Sequence, residues 1–215
     1  MRKILILVLV LLAFNFIDNN NTFDDTAVLN NVEMKPFSVP IQEELTDKEK
    51  QQEFVKTFFG GKSIIKPLYK YKIYARIYSK KAYPFGFDPN PAPYDLALGW
   101  DGLEKEDIFE TINVRQSFRW VHWRLKSECP YNVDGVYLRL ANNHVIPANN
   151  NILRAIKMLK KKDVVYLEGY LVSYTTTRGN LTGTGKSSTT RTDRQGGSCE
   201  IVYVTRLVSK YGDFK

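Results

Sequence analysis

His144 and Cys199 are the side chains in this 215-residue sequence best suited to making and breaking bonds. A neutral imidazole accepts protons near neutral pH, and a thiol becomes a strong nucleophile once it has lost its own. Such a pair needs spatial contact rather than sequence adjacency, so the fold must bring them together. His144 stands just before the rigid Ile146-Pro147 step, which would fix its orientation for base catalysis. The plainer reading is a ring that satisfies backbone groups at a strand end. Cys199 opens an apolar run, and its plainer reading is a small core residue. Asp193 is a second partner for His144.

Three further groups could hold a ligand. Trp120 and His122 lie in the aromatic–basic run Arg119-Trp120-Val121-His122-Trp123-Arg124, which could stack a base or a sugar or could simply pack a core. Asn142 and His144 belong to Asn142-Asn143-His144-Val145-Ile146-Pro147. Lys186, Arg191 and Asp193 sit in a stretch from Arg178 to Gly197 rich in Gly, Ser and Thr. Successive backbone N–H groups and cations there could hold an anion, and a long hairpin loop is the plainer reading. Gly183-Thr184-Gly185-Lys186-Ser187 imitates a phosphate loop, but Gly179 is one position too far upstream and no helix follows. Cys129 and Cys199 either pair, closing a loop of about 70 residues worth about 4 kcal/mol, or stay independent thiols. No Cys/His cluster has metal-ligand spacing, and neither a metal nor a cofactor is expected.

The elements that position these residues read as mainly β with one or two helices. From Leu68 to Tyr78, Tyr69, Tyr71, Ile73, Ala75 and Ile77 alternate with basic and tyrosine positions, the mark of a half-buried strand. Further strands are predicted over Ser117–Leu125, Gly135–Leu140, Asp163–Tyr174 and Cys199–Val208. Tyr83–Pro93 holds Pro84, Pro89, Pro91 and Pro93 and is an irregular excursion. Asn149–Asn151 caps a helix with one apolar stripe, Ile152, Ala155, Ile156 and Leu159. Thr46 and Glu49 form a capping-box signature, and Phe54, Val55, Phe58 and Phe59 extend a helix from Asp47 to Phe59. Three strands, a helix and two strands is the order of a five-stranded Greek-key barrel of the OB type. Gly169 within the fourth strand suits a bulge or corner.

Met1-Arg2-Lys3 followed by the apolar run from Ile4 to Ile17 has the layout of a secretory signal, too short for a bilayer-spanning helix. Residues 1–20 are therefore expected to be a signal peptide or an N-terminal membrane anchor, and the chain to work in the bacterial cell envelope. Residues 21–60 carry eight acids against four lysines, and residues 61–215 carry 25 cations against 14 acids. This shift divides an acidic linker from a basic domain.

The Trp-rich run, Asn142-Asn143-His144-Val145-Ile146-Pro147-Ala148, Gly169-Tyr170-Leu171, and Ser187-Ser188 with Arg191-Thr192-Asp193 and Cys199-Glu200 come in an order that resembles an uncharacterised family of bacterial envelope proteins. The resemblance spans roughly Leu96 to Val208. It implies location and unity of the domain, without an activity. Two departures stand out: Asn142-Asn143 where Ser-Asn is usual, and Cys129, which is foreign to the family and argues against a structural disulfide.

The expectation is a non-enzymatic envelope module that binds an anionic polymer or a protein partner, because excess positive charge favours acidic partners. The alternatives are a hydrolase or transferase using His144 with Cys199 or Asp193, and an OB-type nucleic-acid binder. The export signal and the lack of a carboxylate cluster stand against the last. Residues 1–17 would add membrane association if uncleaved.

Overall fold

A computed structural model describes residues 37–58, 60–83, 88–190 and 199–215, all within one compact unit that runs from Asn31 to Lys215. The expected signal or anchor, residues 1–20, lies outside the described residues, as do Arg191 and Asp193. Among the described residues, no helix is long and apolar enough to cross a membrane. The described residues are mainly β, with a mixed sheet, a separate two-stranded ribbon and four short helices.

The longest strand, β3 (Gly61–Ala82), follows β1 (Ile41–Glu43), α1 (Asp47–Lys50) and β2 (Phe54–Phe58). The predicted alternation holds along it: Tyr71, Ile73, Ala75 and Ile77 are buried, while Lys70, Lys72, Tyr74 and Arg76 are only half covered. Five strands then pair in a circuit. β3 is antiparallel to β4 (Tyr94–Gly99), and β4 is antiparallel to β7 (Leu140–Pro147). β7 runs parallel to β10 (Glu200–Ser209), β10 antiparallel to β8 (Val164–Arg178), and β8 antiparallel to β3 again.

The circuit shares one core, including Ile73, Leu98, Val145, Leu167 and Val204. A helix between β7 and β8, α4 (Asn150–Met158), adds Ile152, Ala155 and Ile156 to it, with Leu159 just beyond its end. Its N-cap is the expected one, with Asn149 Oδ1 accepting from the Ile152 N–H at 3.0 Å. At its other end Lys80 Nζ donates to the carbonyls of Ile156, Lys157 and Leu159 at 2.7, 2.8 and 2.6 Å. A cation from a distant strand thus meets the negative end of the helix dipole. Gly169 sits where β8 crosses β10 beside a register shift at Val204/Arg206, and a Cβ there would stand 2.0 Å from the Tyr203 carbonyl oxygen.

Three expectations are corrected. The helix predicted over Asp47–Phe59 stops at Lys50. Its capping box is present, with Thr46 and Glu49 bonded both ways, but Phe54–Phe58 pairs with the start of β3 and Phe54 stacks on Tyr203 at 4.2 Å. Pairing with a distant strand outweighs local helical spacing. The Trp-rich segment is not in the circuit. It forms β6 (Trp120–Leu125), which pairs with β5 (Ile112–Ser117) as the separate ribbon, and the circuit's second strand is β4. Gly135–Leu140 is the end of a helix, α3 (Val133–Tyr137), capped by Asn132, followed by a turn, and β7 starts only at Leu140, so Asn142-Asn143-His144 falls inside β7. The Gly/Ser/Thr stretch begins as a hairpin, with β9 (Leu181–Lys186) paired to β8. The remaining elements are α2 (Glu106–Phe109) and β11 (Gly212–Phe214).

Candidate functional site

Sheet register builds the site. Asp95 of β4 lies directly opposite His144 of β7. On the other side of β7, Ile201 is opposite His144, and Cys199 precedes it by two positions, which puts Cys199 on the same face. His144 Nδ1 and Asp95 Oδ1 are 2.8 Å apart, and the side chain of Cys199 lies close enough to the ring to raise its pKa. A carboxylate, an imidazole and a thiol therefore stand in line across three neighbouring strands. Two backbone contacts fix the thiol's segment: the Ser188 N–H donates to the Cys199 carbonyl at 3.0 Å, and the Ile201 N–H donates to Ser187 Oγ at 3.0 Å.

The tip of the ribbon reaches the same carboxylate. Ser117 pairs with Trp120, leaving Phe118 and Arg119 as a two-residue turn at φ 47° and 68°. Turns of this kind favour Asn and Gly, and a bulky side chain at positive φ is strained. Contacts of Arg119 hold the turn in place. Its guanidinium donates to Asp95 Oδ1 at 2.7 Å and forks onto Asp88 at 2.7 and 3.1 Å. It also stacks 3.9 Å from the Tyr83 ring centroid. Its N–H donates to Tyr83 Oη at 3.0 Å, and its carbonyl accepts from Asn142 Nδ2 at 2.9 Å. Asn142 Oδ1 in turn accepts from Gln116 Nε2 at 2.7 Å.

Asp95 is completely buried, so its charge must be matched locally. Two carboxylates, Asp88 and Asp95, face two cations, Arg119 and His144. Burial by itself would favour the neutral imidazole. The hydrogen bonds to Asp95 and to Cys199, with the charges behind them, outweigh it and push the His144 pKa up to about 9. The ring is thus an imidazolium at neutral pH. An imidazole beside a thiol is the pairing that nucleophilic cysteine chemistry uses.

The other expected residues fall elsewhere. Trp120 and His122 lie on the ribbon's outer face, with His122 Nε2 3.0 Å from Ser117 Oγ. Lys186 ends β9 in a shallow concavity with Glu53 and Lys66. Both thiols are free, the second of the two alternatives open for them: Cys129 packs beside the cluster of Tyr78, Leu103 and Phe109, whereas Cys199 lies beside His144. Among the described residues no group of His, Cys, Asp and Glu is arranged to hold a metal. Sequence reasoning missed Asp95 and the role of Arg119. One signal was available for Asp95, a lone acid at the head of the apolar run Leu96-Ala97-Leu98.

Protein-family models, curated proteins and solved structures were compared with the chain, and none of them matches it.

Proposed function

We propose that the chain is an OB-type barrel carrying a cysteine-dependent hydrolase or transferase centre, with Cys199 as nucleophile, His144 as its acid–base partner and Asp95 orienting the imidazole. The single observation behind this reading is the Asp95–His144–Cys199 line, in which each polar group finds its partner across neighbouring strands. The barrel reading draws on the closed strand circuit, its one parallel pair and the helix between β7 and β8. The resemblance to the envelope family adds that two of its sequence blocks supply His144 and Cys199.

The chemistry follows from the charges. The Cys199 thiolate forms a bond to an acyl carbon, and the electron pair of the C–O or C–N bond leaves with the departing group. His144 donates its proton to that group. Water, or an acceptor hydroxyl or amine, then attacks the thioester, gives its proton back to the imidazole and regenerates the thiolate.

Iodoacetamide mapping of the full chain tests the centre, because Cys129 serves as an internal control. Cys199 should alkylate at least about tenfold faster than Cys129 at pH 7, and His144→Gln should abolish the difference. An activated ester such as p-nitrophenyl acetate should leave an acyl group on Cys199, detectable by mass. Equal alkylation of the two thiols, unchanged in His144→Gln, would refute the nucleophile and return the choice to a non-enzymatic binding module.

A further inference from the structure

The β5–β6 ribbon has a face that the cysteine centre leaves unused. Its inner residues Val114, Val121, Trp123 and Leu125 pack on the cluster around Tyr78 and Phe109. Its outer face presents three cross-strand pairs, Asn113 with Arg124, Arg115 with His122, and Ser117 with Trp120, all exposed. Arg76, Arg119, Arg139 and Arg206 each hold a carboxylate. Arg115 and Arg124 have no carboxylate in ion-pair range among the described residues. Lys161 joins them around a concavity of about 440 Å³ lined also by His122. Like charges on neighbouring ribbon positions repel, so anions from outside would stabilise this face.

The tip adds an independent observation. Phe118 is 78% exposed and Trp120 is 49% exposed. Phe118 also sits at φ 47°, where Asn or Gly would relieve both backbone strain and contact of an aromatic ring with water. The sequence thus places an apolar ring where folding alone disfavours it. Along the ribbon the aromatics come first, and Arg115 follows three residues back, roughly 10 Å away at strand rise. That order matches a bilayer surface, where aromatic rings sit at the headgroup boundary and guanidinium forks meet lipid phosphates.

We infer that the outer face and tip of the β5–β6 ribbon dock on an anionic phospholipid bilayer, with Phe118 and Trp120 entering the interface and Arg115, Arg124 and Lys161 meeting headgroup phosphates. Arg119 ties the tip to the body of the protein, so the ribbon presents these groups as a rigid surface. The inference is independent of the cysteine chemistry.

The test uses the full chain with phosphatidylglycerol vesicles whose acyl chains carry bromine, a short-range quencher of tryptophan fluorescence. Trp100 is buried, but Trp123 is half-buried and lines the same concavity, so every chain in the test carries Trp123→Phe and Trp120 is the indole within reach. Any anchoring by residues 1–17 is common to all variants. Quenching is expected in the parent chain and should be lost in Trp120→Phe, in the double variant Arg115→Gln/Arg124→Gln, and on phosphatidylcholine vesicles. Phe118→Asn suits the turn's backbone, and it should lose quenching while keeping the parent near-ultraviolet dichroism. Quenching that survives Trp120→Phe, or is equal on neutral vesicles, overturns the proposal. So does binding of pyrophosphate or a single-stranded oligonucleotide to this face while vesicles leave Trp120 unquenched.

Discussion

Asp95 Oδ1 serves two cations at once, Arg119 at 2.7 Å and His144 at 2.8 Å, and this sharing makes the site sensitive to pH and to truncation. The His144 pKa rises from an ordinary 6.5 to about 9 in the fold. A raised pKa means the folded state binds the proton more tightly than the unfolded chain. Its contribution is complete below pH 6.5 and is lost as pH climbs through 9, about 3 kcal/mol in all. Urea midpoints should therefore fall between pH 6 and pH 9.5, and His144→Gln should flatten that slope. An unchanged slope in the variant would refute the assignment. Arg119→Met leaves Asp95 buried beside a single cation and should cost about 3 to 5 kcal/mol, read as a fall in urea midpoint. At this scale His144 and Cys199 were legible from residue type alone. Asp95 was not, because a carboxylate at a strand head is commonplace until the register sets it against an imidazole.

Elements differ in how much of their origin is local. The alternation in β3 and the Asn-capped stripe of α4 appear in the structure as the sequence predicts, because both patterns are set by burial of one face. The end of α4 is different, since its carbonyls are met by Lys80 from β3 rather than by the lysines that crowd the helix terminus. Lys80→Met should lower stability by about 1 to 3 kcal/mol, measurable by urea unfolding, as three carbonyls lose their donor. Gly169→Ala should be at least about 2 kcal/mol destabilising by the same measure, because its Cβ meets backbone rather than a flexible side chain. A neutral Gly169→Ala would mean that β8 and β10 cross less closely. Phe54–Phe58 misled the reading because phenylalanines spaced for a helix also serve a strand once a partner exists. Nothing local announces that partner.

For the whole molecule, the closed circuit makes stability depend on its last member. β10 joins β7 on one side and β8 on the other, so a chain ending before Cys199 would leave both edges open. Such a truncated chain should lack near-ultraviolet dichroism and a cooperative unfolding transition, and a native-like signal would show that the ring does not need its closing strand. Periodicity and residue type are enough for the β-rich class, the strand alternation of β3, the capped helix before β8 and the choice of His144 and Cys199 as candidates. Long-range contacts settle which strands neighbour one another, the departure of the Trp-rich segment into a ribbon, and the meeting of Asp95, Arg119, His144 and Cys199. Those outcomes are set by hydrogen-bond register between segments far apart in sequence. A shift of one residue would turn His144 or Asp95 to the opposite face and dissolve the site.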